Sequence, residues 1–114
     1  MIRATYCRKD HCLTVEGHAL SAEKGKDLVC AAASILVYTL ANFVSNIGFD
    51  TDKVIKLEEG DAEVSCKVES EHDMAVALVF DSICAGFDIL AQKYPEYVKY
   101  EIINYTRDRK EKQH

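Results

Sequence analysis

The stretch Gly17–Ser34, GHALSAEKGKDLVCAAAS, decides how the rest of the chain is read. It opens where a strand-like alternation ends and crosses the small and polar residues Ala19, Leu20, Ser21, Ala22, Glu23, Lys24 and Gly25. It then runs into an apolar series with helical spacing, Leu28, Val29, Ala32, Leu36 and Leu40. Strand, loop and helix in that order place His18 at the start of the loop and Cys30 in the first turn of the helix. Asp27 stands just before the apolar series and is the expected N-cap, its carboxylate accepting from the backbone N–H of Cys30. At that position the free N–H groups and the helix dipole favour negative charge, and so the thiolate, which is the nucleophilic form of cysteine. His18 is the nearest base in sequence, twelve residues upstream. That separation lets a strand end fold back onto the next helix start, with the loop 19–25 as a flap over the pair. Spacing alone leaves the bland readings open: a cysteine in an Ala-rich helix is more often core, and a histidine at a strand end is more often a surface residue.

Outward from this stretch, the pattern predicts five strands and two helices. Met1–Lys9 reads as a strand with Ile2, Ala4 and Tyr6 on one face, and Arg8–His11 as a polar turn. Cys12–His18 is its hairpin partner, with Leu13 and Val15 on one face and Thr14, Glu16 and His18 on the other. Gly17 is able to bend the strand and redirect His18. The first helix is expected over Leu28–Ile47, with a stripe of Leu28, Ala32, Leu36, Leu40, Phe43, Val44 and Ile47, and Gly48 as its C-cap. A second hairpin, Lys53–Glu58 and Ala62–Glu69, turns at Glu59-Gly60-Asp61, with Ile55, Leu57, Val64, Cys66 and Val68 as core. The second helix is expected over Met74–Lys93, with Asp73 as N-cap, a stripe of Val76, Val79, Ile83, Phe87 and Leu90, and close packing at Gly86. Tyr94-Pro95 ends it, and Tyr97–Thr106 is the last strand. The order ββαββαβ predicts an α+β fold, a mainly antiparallel sheet of about five strands with both helices on one face. One domain over residues 1–106 is expected, with a charged, frayed tail over 107–114.

Composition narrows the function classes. A chain of 114 residues with 48% hydrophobic residues suits one domain with a real core. A net charge of −5 argues against direct nucleic-acid binding and suits a basic partner. Five cysteines without a CxxC pair, and with no signal peptide, read as reduced thiols in a cytoplasmic protein. No apolar run is expected to reach the ~18 residues of a membrane helix. Cys7, His11 and Cys12 cluster around one turn, but a structural zinc site wants four ligands at recognisable spacing. No metal and no cofactor is therefore expected.

Gly17-His18-Ala19 followed by Gly25-Lys26-Asp27-Leu28-Val29-Cys30-Ala31-Ala32-Ala33-Ser34 resembles the signature of the ribosomal-processing cysteine protease family, Prp. The family pattern is Gly-His-Ala, a loop with a Gly, then Asp-Ile-Val-Cys-Ala-Ala-Val-Ser. Leu28 replaces the Ile and Ala33 the Val, and the His–Cys spacing agrees. Length and element order fit over nearly the whole chain. The resemblance implies Cys30 as nucleophile and His18 as its partner. It also implies a homodimer and, as substrate, a short N-terminal extension of a large-subunit ribosomal protein, the L-twenty-seven protein. Six tyrosines, several near the last strand, offer a face for such a dimer.

The chemistry implied is attack by Cys30 on a scissile carbonyl, with His18 taking the thiol proton and returning one to the leaving amine. Backbone N–H groups of Cys30 and Ala31 are the expected oxyanion donors. Asp27, Glu16 and Ser34 are the candidates, in that order, for a third catalytic residue. Two other classes compete: a non-enzymatic ribosome-associated module whose acidic surface binds a basic tail, and a thiol-redox sensor using Cys30.

Overall fold

The computed structural model describes residues 1–18 and 26–103, with the side chains of Lys26 and Asp27 excepted. The loop 19–25, the end of the expected last strand and the tail 107–114 lie outside the described residues. In chain order the elements are β1 (Ile2–Cys7), a 3-10 turn (Arg8–Asp10), β2 (Cys12–Glu16), α1 (Lys26–Ser45), β3 (Asp52–Glu58), β4 (Asp61–Lys67), α2 (Ser70–Lys93) and β5 (Val98–Ile103). The sheet runs β3-β4-β2-β1-β5. Its first three pairings are antiparallel and β1–β5 is parallel, so the expected ββαββαβ fold with a mainly antiparallel sheet is what forms.

Strand alternation builds one main core between sheet and helices. Ile2, Ala4 and Tyr6 of β1, Leu13 of β2, Val64 and Cys66 of β4 and Val98 of β5 are all buried there. Register aligns them across the sheet: Tyr6 pairs with Leu13, and Leu13 with Val64. The other sheet face carries a small second cluster of Cys7, Cys12 and Ile103. β3 departs from expectation. It lies at the sheet edge and every residue in it is exposed, so Ile55 and Leu57 are not core. An edge strand has a neighbour on one side only, which leaves its side chains more open to solvent.

Both helices are rotated from the expected orientation. α1 buries Val29, Ala33, Val37, Leu40, Ala41 and Val44, while Leu28 is 63% exposed. α2 buries Val76, Phe80, Cys84, Phe87 and Leu90, with Val79 and Ile83 only half inside. Each of its two fully buried phenylalanines contributes about 1.5–3 kcal/mol of transfer free energy. The sequence offers two overlapping apolar stripes in α1, and the helix pair selects between them. A Cβ added at Gly86 of α2 would come within 3.0 Å of Leu36 Cδ1, so the helices meet where one side chain is missing and Leu36 fills the gap. Leu36 thus faces α2, and the stripe one residue on faces the sheet.

Helix ends also differ. α1 begins at Lys26, which places Asp27 inside the helix, not at its cap. At the other end Gly48 is not in the left-handed region, and a Cβ there would meet nothing. The last turn is closed instead by Ile47 N–H donating to Val44 O at 3.2 Å. Lys53 Nζ donates to the carbonyls of Ser45 and Ile47 at 3.3 and 3.1 Å, a cation at the negative end of the helix dipole. α2 starts at Ser70 with Glu69 at its cap. Asp73, expected as that cap, lies within the first turn and pairs with His11 Nε2 at 2.8 Å. The extra turn is held by His72, whose ring stacks on Phe49 at 3.7 Å.

Each helix contains a segment with mean hydropathy 1.9, long and apolar enough to cross a membrane on length and composition. The expectation that no run reaches that length is therefore corrected. In the fold, each helix turns part of its apolar surface to the core, with Val29, Val37 and Leu40 of α1 and Phe80 and Phe87 of α2 buried.

Buried acidic protons accumulate between β1, β5 and α2. Burial pushes the Cys84 thiol up from 9.0 to about 12. It likewise raises the Tyr6 and Tyr100 phenols well above 10.0, Tyr6 further through its hydrogen bond to Asp81 at 2.7 Å. The unfolded chain sheds these protons near the ordinary thiol and phenol values, whereas the fold retains them. Above about pH 9 the native state holds more protons than the unfolded one, so stability falls as pH rises. Thermal melts should show Tm lower at pH 10.5 than at pH 8 by at least about 4–8 °C, the equivalent of about 1 kcal/mol in a small domain. The Cys84→Val, Tyr6→Phe double variant should have a visibly flatter profile over that range.

Candidate active site

Gly17 ends the alternation of β2. Its φ is +90°, and a side chain there would run into the Met1 carbonyl. That conformation suits glycine and turns the chain between Glu16 and His18. The consequence is that His18 shares a cavity with Val15, whereas an unbroken strand would have put it on the opposite face with Glu16. The main-chain carbonyl of His18 accepts from the Met1 ammonium group, and Gly17 N–H donates to Gly60 O at 2.9 Å. The end of β2 is thus tied to the start of β1 on one side and to the β3–β4 turn on the other.

The cavity has a volume of about 410 Å³, within the range of small-ligand and peptide-side-chain pockets. His18 and Cys30 both line it, and so does Ser34, one helical turn beyond Cys30. Val37 and Tyr38 continue the α1 wall, Ile2 and Val15 form the apolar floor, and the hairpin residues Leu57 to Ala62 close the far side. The rotation of α1 explains this arrangement. With Val29, Ala33 and Val37 against the sheet, Cys30 and Ser34 lie on the adjoining flank, at the edge of the buried face.

Cys30 is half-buried, whereas Cys7, Cys12, Cys66 and Cys84 are buried. Cys66 and Cys84 are further removed from reactivity because burial raises their thiols. Cys7 Sγ lies against Asp10 at 3.3 Å and Cys12 Sγ against Glu63 at 3.9 Å. Among the described residues no group of three His, Cys, Asp or Glu side chains is placed to hold a metal ion.

Two expected details of the site are corrected. Cys30 is the fifth residue of α1, past the first turn where the dipole acts most strongly. Its N–H, and that of Ala31, are committed to the carbonyls four residues back, which removes both as oxyanion donors while the helix is intact. The N–H groups left free by such a helix are those up to Leu28. Of the three candidate supporting residues, Ser34 lines the cavity and Glu16 does not. The Asp27 side chain and the loop Ala19–Gly25 fall outside the description. Sequence reasoning did not single out Leu57, Glu58, Glu59, Gly60 and Asp61, which line the cavity from the second hairpin. The turn was legible as a turn, but its partner in space is forty residues away in the chain.

The cysteine protease Prp family profile matches residues 1–99. The chain belongs to the cysteine protease Prp family. A ribosomal processing cysteine protease Prp from Mycoplasma pneumoniae is 30% identical over 92 residues, covering 80% of this chain and 86% of the relative. A solved protein from Streptococcus mutans has a TM-score of 0.70 at 28% identity, over 92% of this chain and 96% of that one. The Prp of Staphylococcus aureus, solved with a covalently linked product peptide, shares the fold with a TM-score of 0.67 at 17% identity, over 90% and 97% of the two chains.

Alkylation distinguishes the cavity thiol from the other four. Limiting iodoacetamide on the native protein should give a first adduct at Cys30, read by peptide mass. The four buried cysteines should react only after denaturation, by at least about tenfold in rate, because attack requires access and a thiolate. Equal labelling of all five would contradict the packing described.

Proposed function

We propose that the protein is an endopeptidase that uses Cys30 and His18 to remove a short N-terminal extension from the large-subunit ribosomal protein L-twenty-seven, and so supports ribosome assembly in the cytoplasm. The observation that carries this reading is the convergence of His18, Cys30 and Ser34 on one cavity, in a member of a cysteine protease family. Cys30 Sγ attacks the scissile carbonyl while His18 takes the thiol proton. The tetrahedral intermediate collapses, His18 protonates the leaving amine, and water hydrolyses the thioester. Ser34 is the supporting polar group favoured by position.

The hairpin side of the cavity is acidic. Glu58, Glu59 and Asp61 line it, and no Lys or Arg is among its described lining residues. Asp61 is paired with Lys56 at 2.6 Å, and the acidic groups on this side outnumber that one lysine, which suits a cationic partner. Val37, Tyr38 and Leu57 add apolar surface to the same cavity. Both features suit an extended basic ribosomal-protein segment with an apolar residue at the cavity. The loop Ala19–Gly25, between His18 and α1 in the chain, is the substrate loop in this reading.

A second copy of the chain is the partner we assign. The tyrosines do not provide its face as expected, because Tyr94, Tyr97 and Tyr100 pack on the core. The outward faces of the helices do: Leu28 and Ile35 of α1 and Met74, Leu78 and Ile89 of α2 are large apolar side chains more than half exposed.

Incubation with the extended ribosomal protein, followed by intact-mass analysis, should show loss of the extension. Cys30→Ala should abolish cleavage while keeping the fold, since alanine suits this Ala-rich helix. His18→Ala should slow acylation ~10²–10⁴-fold in single-turnover kinetics, the usual worth of positioned proton transfer. Cleavage by Cys30→Ala at the wild-type rate would remove the assignment. Sedimentation at micromolar concentration should give twice the chain mass, and Leu78→Glu should shift it to the monomer. A wild-type monomer would remove the dimer.

A further inference from the structure

We propose that Gly60, in the two-residue turn between β3 and β4, is a positioning residue for His18; the inference rests on the peptidase reading and assigns a new residue to it. Gly60 sits forty-two positions after His18 in the chain and has no chemistry of its own. In the fold its Cα faces the imidazole. A Cβ built on Gly60 would stand 2.8 Å from His18 Cε1 and 3.2 Å from Cδ2, and closer still to Nε2. The ring occupies the space that any other L residue would need. The same residue fixes the backbone beneath the ring, because Gly60 O accepts from Gly17 N–H at 2.9 Å. One peptide therefore holds the His18 main chain from the residue before it and bounds the His18 side chain from beside it.

The direction of yielding is what makes this a catalytic matter. Gly60 has a φ of +77°, in the region that glycine adopts readily, and it closes the hairpin in which Glu58 pairs with Asp61. If a Cβ appears there, the hairpin backbone is held by its ladder to β2, whereas the imidazole is the free end of a side chain. The ring is what moves. Nε2 is the atom nearest the intruding Cβ, and a proton carrier displaced by about 1 Å can lose on the order of 10²-fold in rate. The fold is affected much less, because the displaced group is exposed and carries no core contact. Among the described glycines, none of the others has a histidine ring within this distance.

The test compares side chains at position 60 that share or lack the offending Cβ. Gly60→Asn carries the Cβ on a residue that tolerates positive φ, and Gly60→Ala carries it with more backbone strain. D-alanine at position 60, introduced by chemical ligation, accepts the positive φ and directs its Cβ along the other hydrogen. Both L variants should lose at least about tenfold in kcat with KM within about twofold, and the His18 Cε1–H NMR signal should shift. The limb of the pH–rate profile that depends on His18 should be displaced with it. D-alanine should restore kcat to within about threefold of wild type. Wild-type kcat in folded Gly60→Asn, with His18→Ala inactive, would overturn the positioning role and leave the peptidase reading intact. Equal losses in the L and D variants would overturn it too, since the loss would then not follow the Cβ. Wild-type acylation by His18→Ala would instead overturn the peptidase reading, and the positioning role with it.

Discussion

Burial of Val29, Ala33, Val37, Leu40 and Val44 on the sheet sets the rotation of α1, and the rest of the site depends on that rotation. The helix presents three distinct flanks. One fills the core, one meets α2 through Leu36 at Gly86, and one carries Cys30, Ser34 and Tyr38 into the cavity. A turn of about 100°, one residue of helix, would take Cys30 from the cavity wall toward solvent or into the core. The small side chains Ala31, Ala32 and Ala33 do not choose an orientation themselves. The choice comes from fitting valines to the sheet and a leucine to a glycine, in a core too closely packed to accept either stripe equally.

The second arm of the site is built by backbone. Gly17 turns β2 out of register, and its N–H is held by Gly60 O, so the histidine and the β3–β4 turn are one unit. Main-chain hydrogen bonds within a sheet are short and directional, and they move little when side chains are changed. The cavity is therefore framed by two kinds of support: a helix seated by apolar packing, and a strand end fixed by hydrogen bonds. The thiol belongs to the first and the imidazole to the second, so what brings them together is the docking of α1 over the hairpin ends.

At the opposite end of the molecule polar contacts tie elements that packing alone would leave free. Asp81 of α2 accepts from the Tyr6 hydroxyl at 2.7 Å and from Arg8 at 2.9 Å, joining β1 and the following turn to α2. Asp73 holds His11, which adopts a left-handed conformation with φ of 47°. These contacts lie away from the cavity and serve to anchor α2, the helix against which α1 is fitted.

The sequence by itself determined the element order, the two hairpins and the family signature from Gly17 to Ser34, which holds the two residues proposed for chemistry. All of these are written in local periodicity or in contiguous residues. It also placed the close approach at Gly86, since a glycine inside a helix needs a reason. Only the tertiary structure decided which of two overlapping stripes of α1 is buried, that β3 is an exposed edge, and that Lys53 rather than Gly48 completes the end of α1. It alone showed that Gly60 lies against His18. Each of these depends on atoms distant in the chain meeting in space. A helical wheel offers several faces, a hairpin turn offers no sign of what it will touch, and the packing of the whole core makes the selection.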